Sequence, residues 1–466
     1  MFLQLTAITT TNKLNDRNNM TNKLNDRNNM KLKRLILQTV LIFALGNATA
    51  QGVYEPSEAI RQAQTEFQDK KFGIFLHWGI YSMLGQGEWV MQNRNINYLE
   101  YPKLAAGFYP SLFNADEWVQ AIKASGAKYI TITSRHHDGF SMWNSAASDY
   151  NIVKATPFKR DVLKELSEAC ERHGIALHFY YSHLDWGRTD YPTGRTGLGT
   201  GRPKNQQDWK HYQAFMNEQL TELLTNYGKI GAIWFDGVWD HEEDPTPFDW
   251  ELRPQYDLIH SLQASCLVAN NHHLPPFDGE DVQIFERDLP GENKAGYSGE
   301  NGISQTLPLE SCETMNRTWG YNITDRDYKS TRQLIHLLVG AAGRNANLLL
   351  NIGPEPNGKL PADAVSRLAE IGQWLEQFGE TVYGTRGGEV EPHSWGVSTR
   401  KGNRLFIHVL SLADNGLFVP LKNNKVKRAI EFKSGKPVKF TRVDGGIALQ
   451  FANAPTDIDY IVELNY

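Results

Sequence analysis

Residues 230–237 read Ile-Gly-Ala-Ile-Trp-Phe-Asp-Gly, and this short stretch carries much of the information about the fold. The run is apolar and ends in an acid followed by glycine, as a buried strand does before a sharp turn. Side chains of a strand alternate between its two faces, so Trp234 and Asp236 share one face while Ile233 and Phe235 share the other. We expect the apolar pair to face helices and Asp236 to point into a cavity.

Similar apolar runs with polar or aromatic ends recur along the chain, and amphipathic helical stretches follow most of them. Strands that alternate with helices are parallel, and eight of them favour an irregular, TIM-like (β/α)8 barrel of the α/β class over an open sheet. The loops 272–280 and 288–312 take the place of helices after the fifth and sixth strands. The predicted strands are Lys71–Gly79, Lys128–Gly139, Ile175–His183, Ile230–Gly237, Ser265–Asn271, Asp281–Arg287, Glu313–Tyr321 and Ala346–Pro354.

The hydrophobic pattern of the sequence changes after about residue 385. Short alternating segments such as Arg404–Leu410, Lys436–Val443 and Ile458–Glu463 are separated by Gly, Asn, Asp and Pro turns. This pattern predicts a C-terminal antiparallel β-sandwich. The predicted domains are therefore a disordered leader and signal peptide at 1–50, a catalytic barrel at 51–385 and a β-sandwich at 386–466.

Composition narrows the class of partner. The formal net charge of the chain is −5, which gives no electrostatic reason to expect nucleic acid or anionic lipid. Twelve Trp and nineteen Tyr are more than packing usually recruits, and aromatic faces suit the C–H faces of sugars. The three cysteines lack the spacing of a structural zinc site. We expect no metal and no cofactor; an oligomer is compatible with the sequence.

The first fifty residues carry a sorting signal. The sequence TNKLNDRNNM occurs twice, at 11–20 and 21–30, and is polar enough to predict disorder. Basic residues at 31–34, the apolar run Leu35–Leu45 and the small residues Ala48-Thr49-Ala50 then follow the order of a cleavable signal peptide. The apolar run is too short for stable membrane insertion. We expect export across the inner membrane into a bacterial periplasm.

The reactive groups of a parallel barrel lie at the carboxyl ends of its strands. Asp236 and Glu286 both end predicted strands on cavity-facing positions. Two carboxyl groups that face one aromatic-rich pocket are the minimum equipment for glycoside hydrolysis, one as nucleophile or base and one as proton donor. Acids at strand ends also cap helices and form ion pairs, so the pair by itself does not decide the function.

Five motifs in this order resemble the α-L-fucosidases of glycoside hydrolase family 29. The resemblance covers roughly residues 55–385 and implies a secreted, retaining, exo-acting α-L-fucosidase with a barrel followed by a β-sandwich. Its substrates would be fucosylated oligosaccharides or glycoconjugates, hydrolysed by double displacement through a covalent fucosyl-enzyme intermediate. The motifs are KFGIFLHWG at 71–79, HHDGF at 136–140, YYS at 180–182, WFDG at 234–237 and NLLLNIGP at 347–354.

The resemblance also implies roles for single residues. Asp236 stands where the family has its nucleophile, Trp234 where an indole lines the sugar, and Trp319 where an aromatic ring packs against its methyl group. His272 falls where some relatives have an arginine, and is expected to replace it as a hydrogen-bond donor. The other expected substrate-binding residues are His77, Glu88, Trp89, His136, His137 and Tyr180.

The general acid/base lies in the most variable stretch of the family. Glu286 is our choice because it ends the sixth predicted strand, and Glu292 and Glu300 in the following loop are the alternatives. Asp236 must be ionised to attack, so we expect histidine and tyrosine donors around it. Glu286 must begin protonated, so we expect its pKa to be raised by the nearby negative charge and by burial.

Two other functions compete with this interpretation. A metal-dependent amidohydrolase would use strand-end histidines, but the first strand offers only His77 and the eighth ends at Asn351 without an acid. His136 and His137 are adjacent on a strand, so their side chains diverge and are poor joint ligands for one metal. A non-catalytic sugar-binding protein would have lost one carboxyl, whereas Asp236 and Glu286 are both present.

The leader generates the first testable prediction. Cleavage is expected between Ala50 and Gln51, because the small residues at 48 and 50 fit the signal-peptidase pocket. Mass spectrometry of the protein from its native host measures the mature N-terminus. A mature N-terminus upstream of Leu35 would contradict the signal peptide.

Overall fold

The computed structural model describes residues 53–297, 302–422 and 425–466. Eight parallel strands in this part of the chain form one sheet, in the order β5-β4-β3-β2-β1-β8-β7-β6. The sheet curls into a nearly closed barrel, which confirms the predicted fold class. The strands are β1 (Phe72–Leu76), β2 (Tyr129–Arg135), β3 (Ala176–Ser182), β4 (Ala232–Asp236), β5 (Leu267–Asn271), β6 (Gln283–Glu286), β7 (Leu309–Thr314) and β8 (Ala346–Ile352).

The barrel is least regular between β5 and β6, as the sequence predicts. A single bridge, between Ala269 and Val282, replaces a continuous ladder there. The carboxylate of Asp281 accepts a hydrogen bond from the backbone N–H of Val268 and so satisfies part of the open edge. No helix occurs at 272–282 or among the described residues of 287–308, so loops connect these strands.

Helices surround the sheet, and their ends follow the local sequence. The side chain of Asn114 caps α3 by accepting from the backbone N–H groups of Asp116 and Glu117. Gly174 ends α4 in the left-handed conformation, at φ 67°. The helices are α1 (Glu58–Lys70), α2 (Val90–Asn93), α3 (Ala115–Ala124), α4 (Val162–His173), α5 (Trp209–Asn226), α6 (Leu252–Leu262), α7 (Thr331–Gly343) and α8 (Ala362–Phe378).

The alternation predicted for β4 is observed. Ile233 and Phe235 belong to the large core between the sheet and its helices. Trp234 lies in a separate cluster inside the barrel, together with Phe75 and Tyr180. The inward face of β4 is therefore the face that carries Asp236, as the sequence predicts.

The predicted position of the seventh strand, Glu313–Tyr321, is wrong, because β7 runs over Leu309–Thr314. This strand has the sequence Leu-Glu-Ser-Cys-Glu-Thr and lacks an apolar run. Its Glu310 lies inside the barrel and accepts hydrogen bonds from the Tyr129 hydroxyl at 2.6 Å and the Trp234 indole at 3.0 Å. A buried acid that finds its partners on other strands gives no apolar signal in its own sequence.

Two antiparallel sheets follow the barrel, in the orders β13-β16-β11-β10-β9 and β12-β15-β14. Leu405, Val419, Ile447 and Val462 from both sheets share one hydrophobic core, which makes them a β-sandwich. Residues Glu55–Tyr466 form one compact unit, and the domain boundary at 386 stays a prediction. The strands are β9 (Arg386–Gly387), β10 (Gly396–Lys401), β11 (Arg404–Val409), β12 (Gly416–Pro420), β13 (Arg428–Glu431), β14 (Lys439–Val443), β15 (Gly446–Gln450) and β16 (Tyr460–Asn465).

A fully buried ion pair joins the ends of β2 and β3. The guanidinium of Arg135 donates to the carboxylate of Asp185, and both side chains are fully buried. Arg135 also donates to the Tyr212 hydroxyl at 3.0 Å and to the Ser182 carbonyl at 3.1 Å. Because a buried charge is stable only with its partners in place, this pair fixes the chain that carries the next two residues, His136 and His137.

The buried pair generates the second prediction. Replacing Asp185 by Asn should lower the free energy of unfolding by about 3–5 kcal/mol, because it leaves the Arg135 guanidinium buried without a counter-charge. Urea denaturation measures the change. The control is Asp149→Asn, which removes the exposed partner of Lys154 and should cost less than about 1 kcal/mol. Equal effects of the two substitutions would refute this role for the pair.

Candidate active site

A cavity of about 350 Å³ opens at the carboxyl ends of the barrel strands. Both predicted catalytic carboxyls, Asp236 and Glu286, line it. Every predicted substrate-binding residue except His272 lines it as well: His77, Glu88, Trp89, His136, His137, Tyr180, Trp234 and Trp319. The sequence therefore predicts most of the residues that the fold brings together here.

Asp236 lies at the centre of this cavity. Its carboxylate accepts hydrogen bonds from the Tyr180 hydroxyl and from the Trp239 indole, each at 2.9 Å. The Nε2 atom of His137 lies 3.6 Å from the same carboxylate. Burial and the negative charge of Glu286 raise the pKa of Asp236 to about 6, although the two hydrogen bonds lower it. The group is therefore ionised at neutral pH and protonated in mild acid.

Asn271 connects the two carboxyls that the sequence predicts to be catalytic. Its Nδ2 atom lies 3.4 Å from an Asp236 oxygen and 2.8 Å from a Glu286 oxygen. The distance between those two oxygens is therefore at most the sum of the two N···O distances. Retaining glycosidases hold their carboxyls about 5–5.5 Å apart, and inverting ones about 6.5–9.5 Å. The contacts through Asn271 fit the shorter class.

The pKa of Glu286 is shifted in the direction opposite to the expected one. Burial raises the pKa of Glu286, but its hydrogen bond to His273 at 2.9 Å, together with the charge of that ring, lowers it more. The net result is a pKa below the ordinary value, so the predicted rise is wrong for the unliganded site. The reason is a basic neighbour whose proximity depends on the fold of the loop after β5.

The histidines at the ends of β1 and β2 are neutral, because burial lowers the pKa of His77 to about 3 and that of His137 well below its usual range. The Nδ1 of His77 donates to the Asn351 amide oxygen at 2.7 Å. The Nδ1 of His137 donates to the Ser182 hydroxyl at 2.7 Å, and that hydroxyl donates to the Leu184 carbonyl. In both rings Nε2 is then an acceptor that suits a sugar hydroxyl.

An aromatic wall closes the opposite side of the cavity. The carboxylate of Glu88 accepts from the backbone N–H of Gly320 at 2.7 Å and holds the loop that carries Trp319. The Trp319 ring lies 5.2 Å from His77, and the Arg287 guanidinium lies 4.8 Å above the same indole. Trp89 stacks on Trp239 at 5.6 Å with an interplanar angle of 18°. These flat faces suit the apolar side of a sugar.

His272 does not belong to the site. Side chains alternate at the end of β5, so Asn271 points into the cavity and His272 points out of it. The His272 imidazole is buried and donates to Glu280 at 3.0 Å, while its ring stacks on Phe277. The next residue, His273, has φ 63° and returns to the cavity. The assignment of His272 as a sugar ligand is therefore wrong by one residue.

The two alternative acids differ in what the structure shows of them. Glu292 forms ion pairs with Arg344 at 2.9 Å and with Lys294 at 2.7 Å, and does not line the cavity. Glu300 lies outside the described residues. Among the described acids, Glu286 is the one that shares a hydrogen-bond donor with Asp236.

Several lining residues are absent from the sequence-based set. Asn271 and His273 could have been found by following the alternation one step past β5. Arg195 and Tyr297 come from long loops that give no local signal. Arg195 lies over the Trp239 ring at 5.3 Å and pairs with Glu243 at 3.2 Å. The lining residues not predicted are Phe75, Arg195, Trp239, Asn271, His273, Arg287 and Tyr297.

Residues 53–297, 302–422 and 425–466 contain no group of three or more His, Cys, Asp or Glu side chains placed to hold a metal ion. They also contain no helix with both the length and the apolar character needed to cross a bilayer.

A parallel barrel whose small cavity holds two neighbouring carboxyls, neutral histidines and indoles defines a glycoside hydrolase. Residues 41–380 match the family model described as alpha-L-fucosidase. The chain is 31% identical to the plasma alpha-L-fucosidase of Rattus norvegicus over 359 residues, which cover 71% of this chain and 71% of that protein. This chain therefore belongs to the alpha-L-fucosidase family.

Solved structures agree with this assignment. Alpha-L-fucosidase isoenzyme 1 from Paenibacillus thiaminolyticus is 32% identical with a TM-score of 0.77, over 87% of this chain and 99% of that one. A family 29 alpha-L-fucosidase from Bacteroides thetaiotaomicron, trapped as a covalent intermediate with 2-fluoro-fucosyl fluoride, shares the fold. Its TM-score is 0.76 at 24% identity, over 89% of this chain and 98% of that one.

The site generates the third prediction. Replacing His137 by Ala should lower kcat/KM on an aryl α-L-fucoside by about 2–4 kcal/mol in transition-state stabilisation, because a fixed hydrogen-bond partner is lost. Steady-state kinetics measure it. The control is His272→Gln, which changes a buried histidine outside the cavity and should leave kcat/KM near the native value. A native kcat/KM in the His137 variant would remove that residue from the site.

Proposed function

We propose that this enzyme hydrolyses terminal α-L-fucosyl residues from glycans with net retention, by double displacement through a covalent fucosyl-enzyme intermediate. The observation that carries the proposal is the bridge of Asn271, which holds Asp236 and Glu286 on one donor. This closeness of the carboxyls supports a retaining mechanism, which places its two carboxyls nearer to each other than an inverting one does. The trapped intermediate of the Bacteroides relative agrees with this chemistry.

Asp236 is the nucleophile in this mechanism. It is ionised above its raised pKa of about 6, and Tyr180 and Trp239 hold its carboxylate in place. Attack on the anomeric carbon forms a fucosyl ester and breaks the bond to the leaving oxygen. These donors hold the carboxylate in position for attack, and they also stabilise the charge that the nucleophile gives up when the ester forms.

Glu286 is the acid/base. It gives a proton to the departing oxygen in the first step and takes one from water in the second, so the carboxyl returns to its initial state. It lines the same cavity as Asp236 and is fixed by Asn271 and His273. These contacts give one carboxyl the position for attack and the other the position for proton transfer.

The small cavity supports exo action on single fucosyl residues. Its volume of about 350 Å³ suits one sugar ring, and its inner end is closed by Trp234 and Phe75. The neutral Nε2 atoms of His77 and His137 accept hydrogen bonds from sugar hydroxyls, and Trp319 offers its face to the methyl group. The proposed substrates are therefore fucosylated oligosaccharides or glycoconjugates with a terminal fucose.

Export to the periplasm is part of the same proposal. It is supported by the basic, apolar and small-residue segments of the leader, which lies outside the described residues. A periplasmic location would place the enzyme where fucosylated glycans enter the cell envelope.

The mechanism generates the fourth prediction. Asp236→Ala should abolish turnover of every substrate, and azide should restore activity with an inverted fucosyl azide as product, because azide replaces the missing nucleophile. Glu286→Ala should still form the ester from substrates with good leaving groups, and azide should then give the retained product. NMR of the products distinguishes the two anomers.

Two outcomes would contradict the proposal in different ways. Full activity of Glu286→Ala on natural linkages would remove Glu286 as the acid/base and leave the fucosidase assignment intact. Initial release of β-L-fucose by the native enzyme would overturn retention itself. Glu292→Ala is the matched control, because Glu292 is a loop acid paired with Arg344 outside the cavity.

A further inference from the structure

The imidazole of His273 is held between Glu286 and an aromatic ring. Its Nε2 atom lies 2.9 Å from the Glu286 carboxylate. The Tyr297 ring stacks on the imidazole; the two ring centroids are 4.8 Å apart and the ring planes are 13° from parallel. His273 has φ 63°, a left-handed conformation that histidine adopts more readily than most residues. The loop is therefore shaped to bring this ring to the acid/base.

Most of the charges that face His273 are negative. Glu286 approaches from β6 and Asp236 from β4. Glu242 is the residue that follows the short 3₁₀ helix Val238–His241. The nearby cations are Arg287, which follows Glu286, and Arg195, which is paired with Glu242 at 3.7 Å. A single imidazole among three carboxylates is stabilised as the imidazolium.

The direction of the two titrations agrees with this geometry. Burial lowers the pKa of His273, but the hydrogen bond and charge of Glu286 raise it more, so the net pKa is above the ordinary value. The pKa of Glu286 is correspondingly below its ordinary value. In the resting enzyme the proton of this pair therefore resides on His273, although protonation of the leaving oxygen requires it on Glu286.

We infer that His273 is a positioning residue that stores the proton which Glu286 delivers to the leaving group. This inference rests on the proposed role of Glu286 as the acid/base. In the first step the Nε2 proton of His273 passes to the Glu286 carboxylate as that carboxylate protonates the leaving oxygen. Imidazole and carboxylate are then both without the proton. In the second step a water proton returns through Glu286 to His273, so the cycle is balanced.

A purely structural role for His273 makes a different prediction. A glutamine at this position keeps an N–H donor that can hold Glu286 but does not titrate. If His273 only orients Glu286, His273→Gln should preserve the pH profile. If His273 stores the proton, the variant should lose the base that retains the last proton at high pH.

The fifth prediction concerns this pH profile. With a fucosyl disaccharide, whose leaving group needs a proton, the alkaline limb of kcat/KM should move to lower pH in His273→Gln by about one unit or more, since histidine is more basic than a carboxylate. With an aryl fucoside of a strongly acidic phenol, which needs little protonation, the alkaline limb should move less than it does with the disaccharide. The control is His260→Gln, because His260 contacts Asp281 at the same 2.9 Å outside the cavity.

An alkaline limb that stays in place in His273→Gln, while Glu286→Ala loses activity on the disaccharide, overturns the proton store and leaves the proposed function intact. Full activity of Glu286→Ala on the disaccharide overturns both. Should the Gln variant fold poorly, His273→Asn offers a residue that tolerates the left-handed backbone. Nitrogen NMR of native imidazoles is independent of any variant: a His273 that titrates below about 6.5 would also overturn the inference.

Discussion

A carboxylate that must remain charged although it is buried is the constraint on which the site depends. Asp236 is buried, so its ionised form is stable only if donors meet it from several directions. Tyr180, Trp239 and Asn271 supply these donors. The sheet register also sets Ser182 and Asn271 beside Asp236, on the neighbouring strands β3 and β5. Ser182 holds His137, and Asn271 reaches Glu286, so one row of the barrel places the proposed nucleophile, a proposed sugar ligand and the proposed acid/base.

The loops beyond this row set how the two carboxyls differ. Both β5 and β6 are followed by non-glycine residues with positive φ, His273 at 63° and Arg287 at 56°. Each such residue costs roughly 1–3 kcal/mol and persists only where surrounding contacts fix it. His273 turns towards Glu286, and Arg287 turns over Trp319. The strained conformations of these two loops thus bring His273 to the proposed acid/base and Arg287 to the aromatic wall of the cavity.

The sequence predicts those parts of the molecule that depend on residues close to one another along the chain. The alternation in residues 230–237 places Asp236 inside the barrel, and the strand ends supply most of the cavity. It misplaces β7, because Glu310 is satisfied by Tyr129 and Trp234 on strands distant in sequence. It selects His272 over His273, although the alternation that places Asn271 in the cavity favours His273 when it is continued past the end of β5. It assigns Glu286 a raised pKa, because the opposing charge of His273 depends on a loop conformation.

The buried carboxyl of Glu310 holds part of the floor of the cavity in place. Glu310 lies directly under Trp234, and burial raises its pKa to about 7 although two donors lower it. Trp234 donates one of the two hydrogen bonds that Glu310 accepts, so a movement of the indole would leave this buried carboxyl short of a donor. A floor held in this way agrees with the proposed action on chain ends, because a glycan continuing beyond the fucosyl ring would have to pass through the barrel core.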